Sequence, residues 1–247
     1  MPSAKYIRLT AMLMTAISVN AQEGGDTQAR IEYAYQTEDS NGLASLIQNL
    51  TSQVKSDAAD SALRYHFAHA QYRMGQLLHE HRAHGAETAF ADCIEELKPV
   101  LEKNRSAEGL VLQSACYSQL AELKSLEAVL LRTRAADRLH AAVKLEPRNP
   151  RALLLSATLT LRTAKPGSAE RQRGFAELEA AAQSFEQSSG TSNETPGWGH
   201  AEAYLALGRE MQARGDQLGA RNWIEKALLA APDFKIAQRQ LALLAKP

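Results

Sequence analysis

The sequence predicts an all-α fold, an α-solenoid of stacked antiparallel helix hairpins, and three observations carry that prediction. Apolar residues recur three and four positions apart along almost every segment after residue 25, which is the spacing of one helix face. A small, large, small order closed by proline returns at fixed spacing: Ala135, Leu139, Ala142 and Pro147, then Ala220, Ile224, Ala227 and Pro232. Aromatic residues make up only 6% of a chain that is 45% apolar, a composition that suits close-packed helices better than a β-sandwich or barrel.

The stretch Ala201 to Phe234 is the most complete hairpin. Tyr204, Leu207, Gly208 and Met211 share one face of a first helix, and Gly208 is small enough to admit a neighbour closely. Gly215-Asp216 breaks that helix. Ala220, Trp223, Ile224, Ala227 and Leu228 line the second, which Pro232 stops. Tyr204, Leu207-Gly208, Ala220, Ile224, Ala227 and Pro232 together resemble a tetratricopeptide repeat, the 34-residue helix hairpin with an aromatic, Leu-Gly, small, large, small and proline series. One such hairpin cannot bury its own apolar faces, so neighbours must stack on it.

The chain supplies them. After Gly24-Gly25, Asp26 opens a helix to about Thr37, and a second helix from Ser40-Asn41 carries Leu43, Leu46, Ile47, Leu50 and Val54. This pair, with its linker at residues 22–60, is expected to cover the end of the stack. The superhelical domain then spans 61–247, with repeat units near 61–106, 107–150, 151–200 and 201–234 and a cap helix at 235–247. The first unit has Leu63, Phe67, Ala70 and Met74, then Ala86, Phe90 and Cys93, with Pro99 where a stop or kink is expected. The second has Leu110, Ser114 and Tyr117 and an insertion, SLEAVLLRT, that is free of glycine and proline and so reads as added helical turns. The third follows Asn149-Pro150 and is broken at Lys165-Pro166-Gly167-Ser168 before Gly174, Leu178 and Ala181 resume the pattern. Three of the four repeats thus carry insertions. A polar loop then leads to the last repeat, with Trp198 folding back as an anchor.

Lys5 and Arg8 precede an apolar run from Leu9 to Val19, and Val19-Asn20-Ala21 fits a small-residue cleavage site, so residues 1–21 read as a signal peptide. The expected product is periplasmic or secreted. The run is too short to span a bilayer, and no integral membrane segment is expected in the mature chain. Lysine and arginine balance aspartate and glutamate at 28 each, which gives no basic footprint for nucleic acid. Cys93 and Cys116 both fall within helical patterns and read either as two buried thiols or as a disulfide between neighbouring helices.

Chemistry is sparse. There is no GxSxG elbow, no glycine-rich loop ending in Gly-Lys and no CxxC pair, so neither catalysis nor a cofactor is expected. His79, His81 and His84 miss the zinc-protease spacing, since Ala83 stands where the second histidine belongs; they leave an alternative reading as a metal- or pH-responsive binding module.

The resemblance implies a protein or peptide partner on a concave surface lined by the first helices. One helical step from the packing face, that stripe comprises Tyr65, His69 and Tyr72, then Val111, Ala115 and Ser118, then Leu155, Leu159 and Arg162, and finally Leu205, Arg209 and Gln212. Family members that clamp the acidic tails of cytosolic chaperones use a lysine, asparagine and arginine array there. Val111, Leu155 and Leu205 depart from it, so an amphipathic helix or an extended segment with apolar anchors is the expected ligand. The function expected is a non-catalytic interaction scaffold of the cell envelope.

Overall fold

The computed structural model describes residues 26–188 and 197–244, and the expected signal peptide lies outside them. Among the described residues there are eleven helices and no strand. They are α1 (26–36), α2 (Ser40–Ser56), α3 (Ser61–Glu80), α4 (Ala86–Lys103), α5 (Ala107–Leu123), α6 (Ala128–Leu145), α7 (Pro150–Thr163), α8 (Ala169–Ser188), α9 (His200–Ala213), α10 (Gln217–Ala230) and α11 (Lys235–Leu244).

Side-chain caps set most of the boundaries. Asp60 accepts from the amides of Ala62 and Leu63 to start α3, and Asp216 accepts from Gly219 to start α10. Asn149 caps α7 through the amides of Arg151 and Ala152, with Pro150 in the first turn where its missing N–H costs nothing. Gly215 holds a φ of 83°, the left-handed conformation that turns α9 into α10.

The helices pack as consecutive pairs, α3 on α4, α5 on α6, α7 on α8 and α9 on α10, with α4 on α5 and α8 on α9 joining neighbouring pairs. The repeated small and large residues are what let the pairs close. A Cβ on Gly208 would lie 2.6 Å from Cγ1 of Ile224, and one on Gly75 would lie 2.6 Å from the Phe90 ring. Ala220, Ile224 and Ala227 are fully buried, as are Phe90, Cys93 and Ala142.

Two local expectations are resolved. Of the stop and the continuation open at Pro99, the structure has the continuation: α4 runs through it to Lys103, because Pro99 stands on the exposed side while Leu97 and Val100 keep the buried stripe continuous. The N-terminal pair does more than cover an end. α2 packs on α3, but α1 lies on the inner side of the stack, with Glu32 and Tyr35 against Arg73 of α3. Ile31 and Tyr35, one helical turn apart, are buried there, and Tyr33 on the opposite face is 60% exposed. Tyr35 lies 6.1 Å from the ring of Phe234, and Glu38 pairs with Arg239 of α11 at 2.6 Å. The two ends of the described chain therefore meet, and α1, α3, α9 and the cap share one apolar core.

Of the two readings open for the cysteines, the structure has the bonded one. Cys93 of α4 and Cys116 of α5 form a disulfide with a Cα to Cα distance of 6.4 Å, tying the first repeat to the second. It closes a loop of sequence separation 23, for which constraint of the unfolded chain is worth about 3 kcal/mol. A Cys93→Ala, Cys116→Ala variant is expected to unfold at correspondingly lower urea, while reductant leaves that variant unchanged and brings the parent down to meet it.

Candidate functional site

The inner helices converge on a buried polar cluster. Arg73 of α3 is 1% exposed; its Nε and Nη2 donate to the two carboxylate oxygens of Glu32 on α1 at 2.7 and 2.6 Å. Nη2 also reaches Glu202 of α9, and Nη1 donates to Gln76 at 2.8 Å. The guanidinium lies 4.0 Å from the centroid of the Tyr35 ring, so its faces are covered as well as its edges. His69, one turn before Arg73, places Nε2 2.9 Å from Glu32 Oε1.

Electrostatics follow from that geometry. Burial alone would raise the Glu32 carboxyl, but Arg73 and His69 outweigh it and hold the group down at about 2. Burial lowers His69 despite the carboxylate beside it, and it drives His66 down to about 4. The Tyr72 hydroxyl is pushed up to about 12, chiefly by burial.

A second cluster adjoins the first. Trp198, buried ahead of α9, donates from Nε1 to the Tyr65 hydroxyl at 3.1 Å and lies 6.1 Å from the Tyr72 ring. Arg151 of α7 is 2% exposed and lies 5.5 Å from the Trp198 ring. Its Nη1 donates to Glu108 at 3.1 Å, and Asn149 donates to the same carboxylate oxygen at 2.7 Å. Between the two clusters lies a cavity of about 280 Å³.

Tyr72, Ala115, Leu155, Leu205 and Arg209 of the expected stripe are brought together around this cavity. The others are placed apart. His69, Val111 and Ser118 are buried within the stack: His69 of α3 lies against Glu32 of α1, and Val111 and Ser118 lie on α5, which α4, α6 and α7 enclose. Leu159 is half-buried, Tyr65 is held by Trp198, Arg162 is exposed and pairs with Glu122, and Gln212 accepts from Gln240 at 2.7 Å. The inner surface is therefore a cavity with a rim rather than a continuous open groove.

His79, His81 and His84 are all exposed at the α3–α4 turn and do not converge; among the described residues no group of three or more histidines, cysteines or carboxylates is arranged to hold a metal ion. His81 instead faces Glu38 at 3.6 Å.

Residue spacing missed Glu32, Arg73, Arg151 and Glu202. Arginines and glutamates on a helical pattern read as its solvated side, and the one available signal was that Arg73 sits directly beside Tyr72 and three residues past Ala70 on an otherwise apolar face.

No family model matches the chain, and no curated protein matches it in sequence. Its fold does match solved structures. One is the crystal structure of TTC0263, a thermophilic TPR protein in Thermus thermophilus, with a TM-score of 0.57 at 16% identity over 88% of this chain and 98% of that one. The chain thus has the fold of a tetratricopeptide-repeat protein, an all-α solenoid.

Proposed function

We propose that this protein is a non-catalytic interaction scaffold of the cell envelope, which holds a peptide or helical segment of a partner protein at the rim of the inner cavity. The observation that carries the reading is the convergence of Leu155, Leu205, Tyr72 and Arg209, contributed by three different repeats, on one concave site. Such sites take amphipathic segments through one or two apolar anchors, with a rim charge setting their direction. Leu159 extends the apolar rim along α7, one turn beyond Leu155. Export is supported by the basic and apolar pattern of residues 5–19 and by the Cys93–Cys116 disulfide, a bond that persists in oxidising compartments.

Leu155 and Leu159 are half-buried at the edge of an apolar cluster, so glutamate there places charge on the rim at a smaller cost to the fold than at Leu205, which is 4% exposed. A Leu155→Glu, Leu159→Glu variant is expected to keep its helical circular dichroism and to lose at least tenfold in affinity for a partner captured from envelope extracts by the parent. Equal capture by parent and variant would place the partner surface elsewhere. For export, the N-terminus of protein recovered from the envelope fraction is expected at Gln22; an intact Met1 in the cytoplasm would overturn that half of the reading.

A further inference from the structure

We propose that the inner cavity also binds a small amphipathic monoanion, a free organic carboxylate with an aliphatic or aromatic body, as a ligand distinct from the protein partner. The walls define the body. Leu155, Leu205, Ala206 and Ile236 present aliphatic surface, and the rings of Tyr72 and Trp198 close the inner end. At about 280 Å³ the cavity lies at the small end of the range for ligand sites, which limits the body to a short chain or a single ring.

The charges define the head group. Three arginines line the cavity, Arg73, Arg151 and Arg209, against one carboxylate, Glu202. Glu202 is committed to Arg73, as is Glu32 behind the wall. Glu108 divides Oε1 between Arg151 and Asn149, while its buried Oε2 has no hydrogen-bond partner among the described residues, so its charge already serves Arg151. Two donors are then left over. Arg151 is 2% exposed, and its buried Nε has no hydrogen-bond partner among the described residues. Arg209 stands exposed at the rim with no ion pair among the described residues.

A buried guanidinium N–H without an acceptor is costly, and a carboxylate is the acceptor whose planar geometry and charge match it. One negative charge balances the one arginine that no carboxylate serves. A neutral analogue of the same shape would fill the apolar part and could accept one hydrogen bond, but it brings no charge to Arg209 and only the weaker neutral bond to Arg151, so discrimination should rest on charge more than on size.

The test is calorimetric titration of the full chain with octanoate and with phenylacetate, each against its neutral counterpart, octanol and phenylacetamide. At least one of the acids is expected to bind at one site per chain, tenfold or more tighter than its neutral counterpart. Arg209→Gln is expected to weaken the acid about tenfold. Thr158→Trp, placed on the exposed part of the wall to fill the cavity, is expected to abolish binding. Both substitutions lie at exposed positions, so unchanged circular dichroism and unfolding midpoint confirm an intact fold. No binding of either acid, equal binding of acid and neutral analogue, or binding that survives Thr158→Trp would each overturn the proposal. Because partner capture is read with different variants, on the rim leucines, either reading can fail while the other stands.

Discussion

Replacing Arg73 by methionine is expected to destabilise the fold by about 3–5 kcal/mol, the cost of removing one side of a buried ion pair. The charge is fully buried, and its loss strands Glu32 behind it and Glu202 beside it. Burial, which Arg73 now outweighs, would then raise the Glu32 carboxyl. Adding Glu32→Leu to Arg73→Met should recover part of the loss, because an apolar pair carries no desolvation penalty, so the double variant is more stable than the two single effects summed. Urea unfolding of the parent, both single variants and the double variant measures the coupling. The same series reports where the damage lies: hydrogen exchange is expected to rise first in α1 and α9, the two elements that reach Arg73 from outside its own repeat. A loss below about 1 kcal/mol, or protection of α1 unchanged, would show that the cluster does not hold the ring of repeats closed.

The difference between what the residues foretold and what they concealed lies in the range of the interactions. In the last repeat, Gly208, Ala220, Ile224 and Ala227 meet within one hairpin, and a close approach between neighbouring helices demands small residues at fixed spacing; the packing is therefore written in the local pattern. The second repeat repeats that order at Ala135, Leu139 and Ala142, all buried in the structure. The breaks at Lys165 to Ser168 and at Gly215-Asp216 were legible for the same reason.

The cavity was not. Its walls come from segments more than a hundred residues apart, as the contact of Arg73 with Glu202 shows, and periodicity tells which residues share a face but not what that face meets. Ile31 and Tyr35 lie on one side of α1 in the sequence, and only the closed chain puts that side against Arg73 and Phe234. The stripe derived one helical step from the packing face presumed an open groove. Of its residues Tyr72, Ala115, Leu155, Leu205 and Arg209 line a cavity instead, while Val111 and Ser118 lie on a helix that its neighbours largely bury.

The same closure makes stability depend on pH in a defined direction. His66 is held by burial at about 4, well below its ordinary 6.5, with His69 on its own helix adding to the burial and Asp60 opposing it. A histidine depressed in the folded state binds its proton more readily when unfolded, so its contribution is complete above pH 6.5 and is lost as pH falls toward 4. From His66 alone the loss between pH 7 and pH 4.5 amounts to about 2 kcal/mol. His69, enclosed by Glu32 of α1, Glu202 of α9 and Arg73 of α3, is lowered as well and acts in the same sense. Glu32 adds a second loss at lower pH, since its native carboxylate is held at about 2 against 4.5 unfolded; that contribution is present above pH 4.5 and disappears on the way to 2. Urea midpoints measured at pH 7.5, 6.0 and 4.5 are therefore expected to fall steadily before most carboxylates begin to titrate. Substituting His66 by leucine should flatten that slope, because the residue no longer charges on unfolding. A slope unchanged in the variant would assign the acid sensitivity to other groups, and a midpoint that rose on acidification would contradict the buried, neutral state of both histidines.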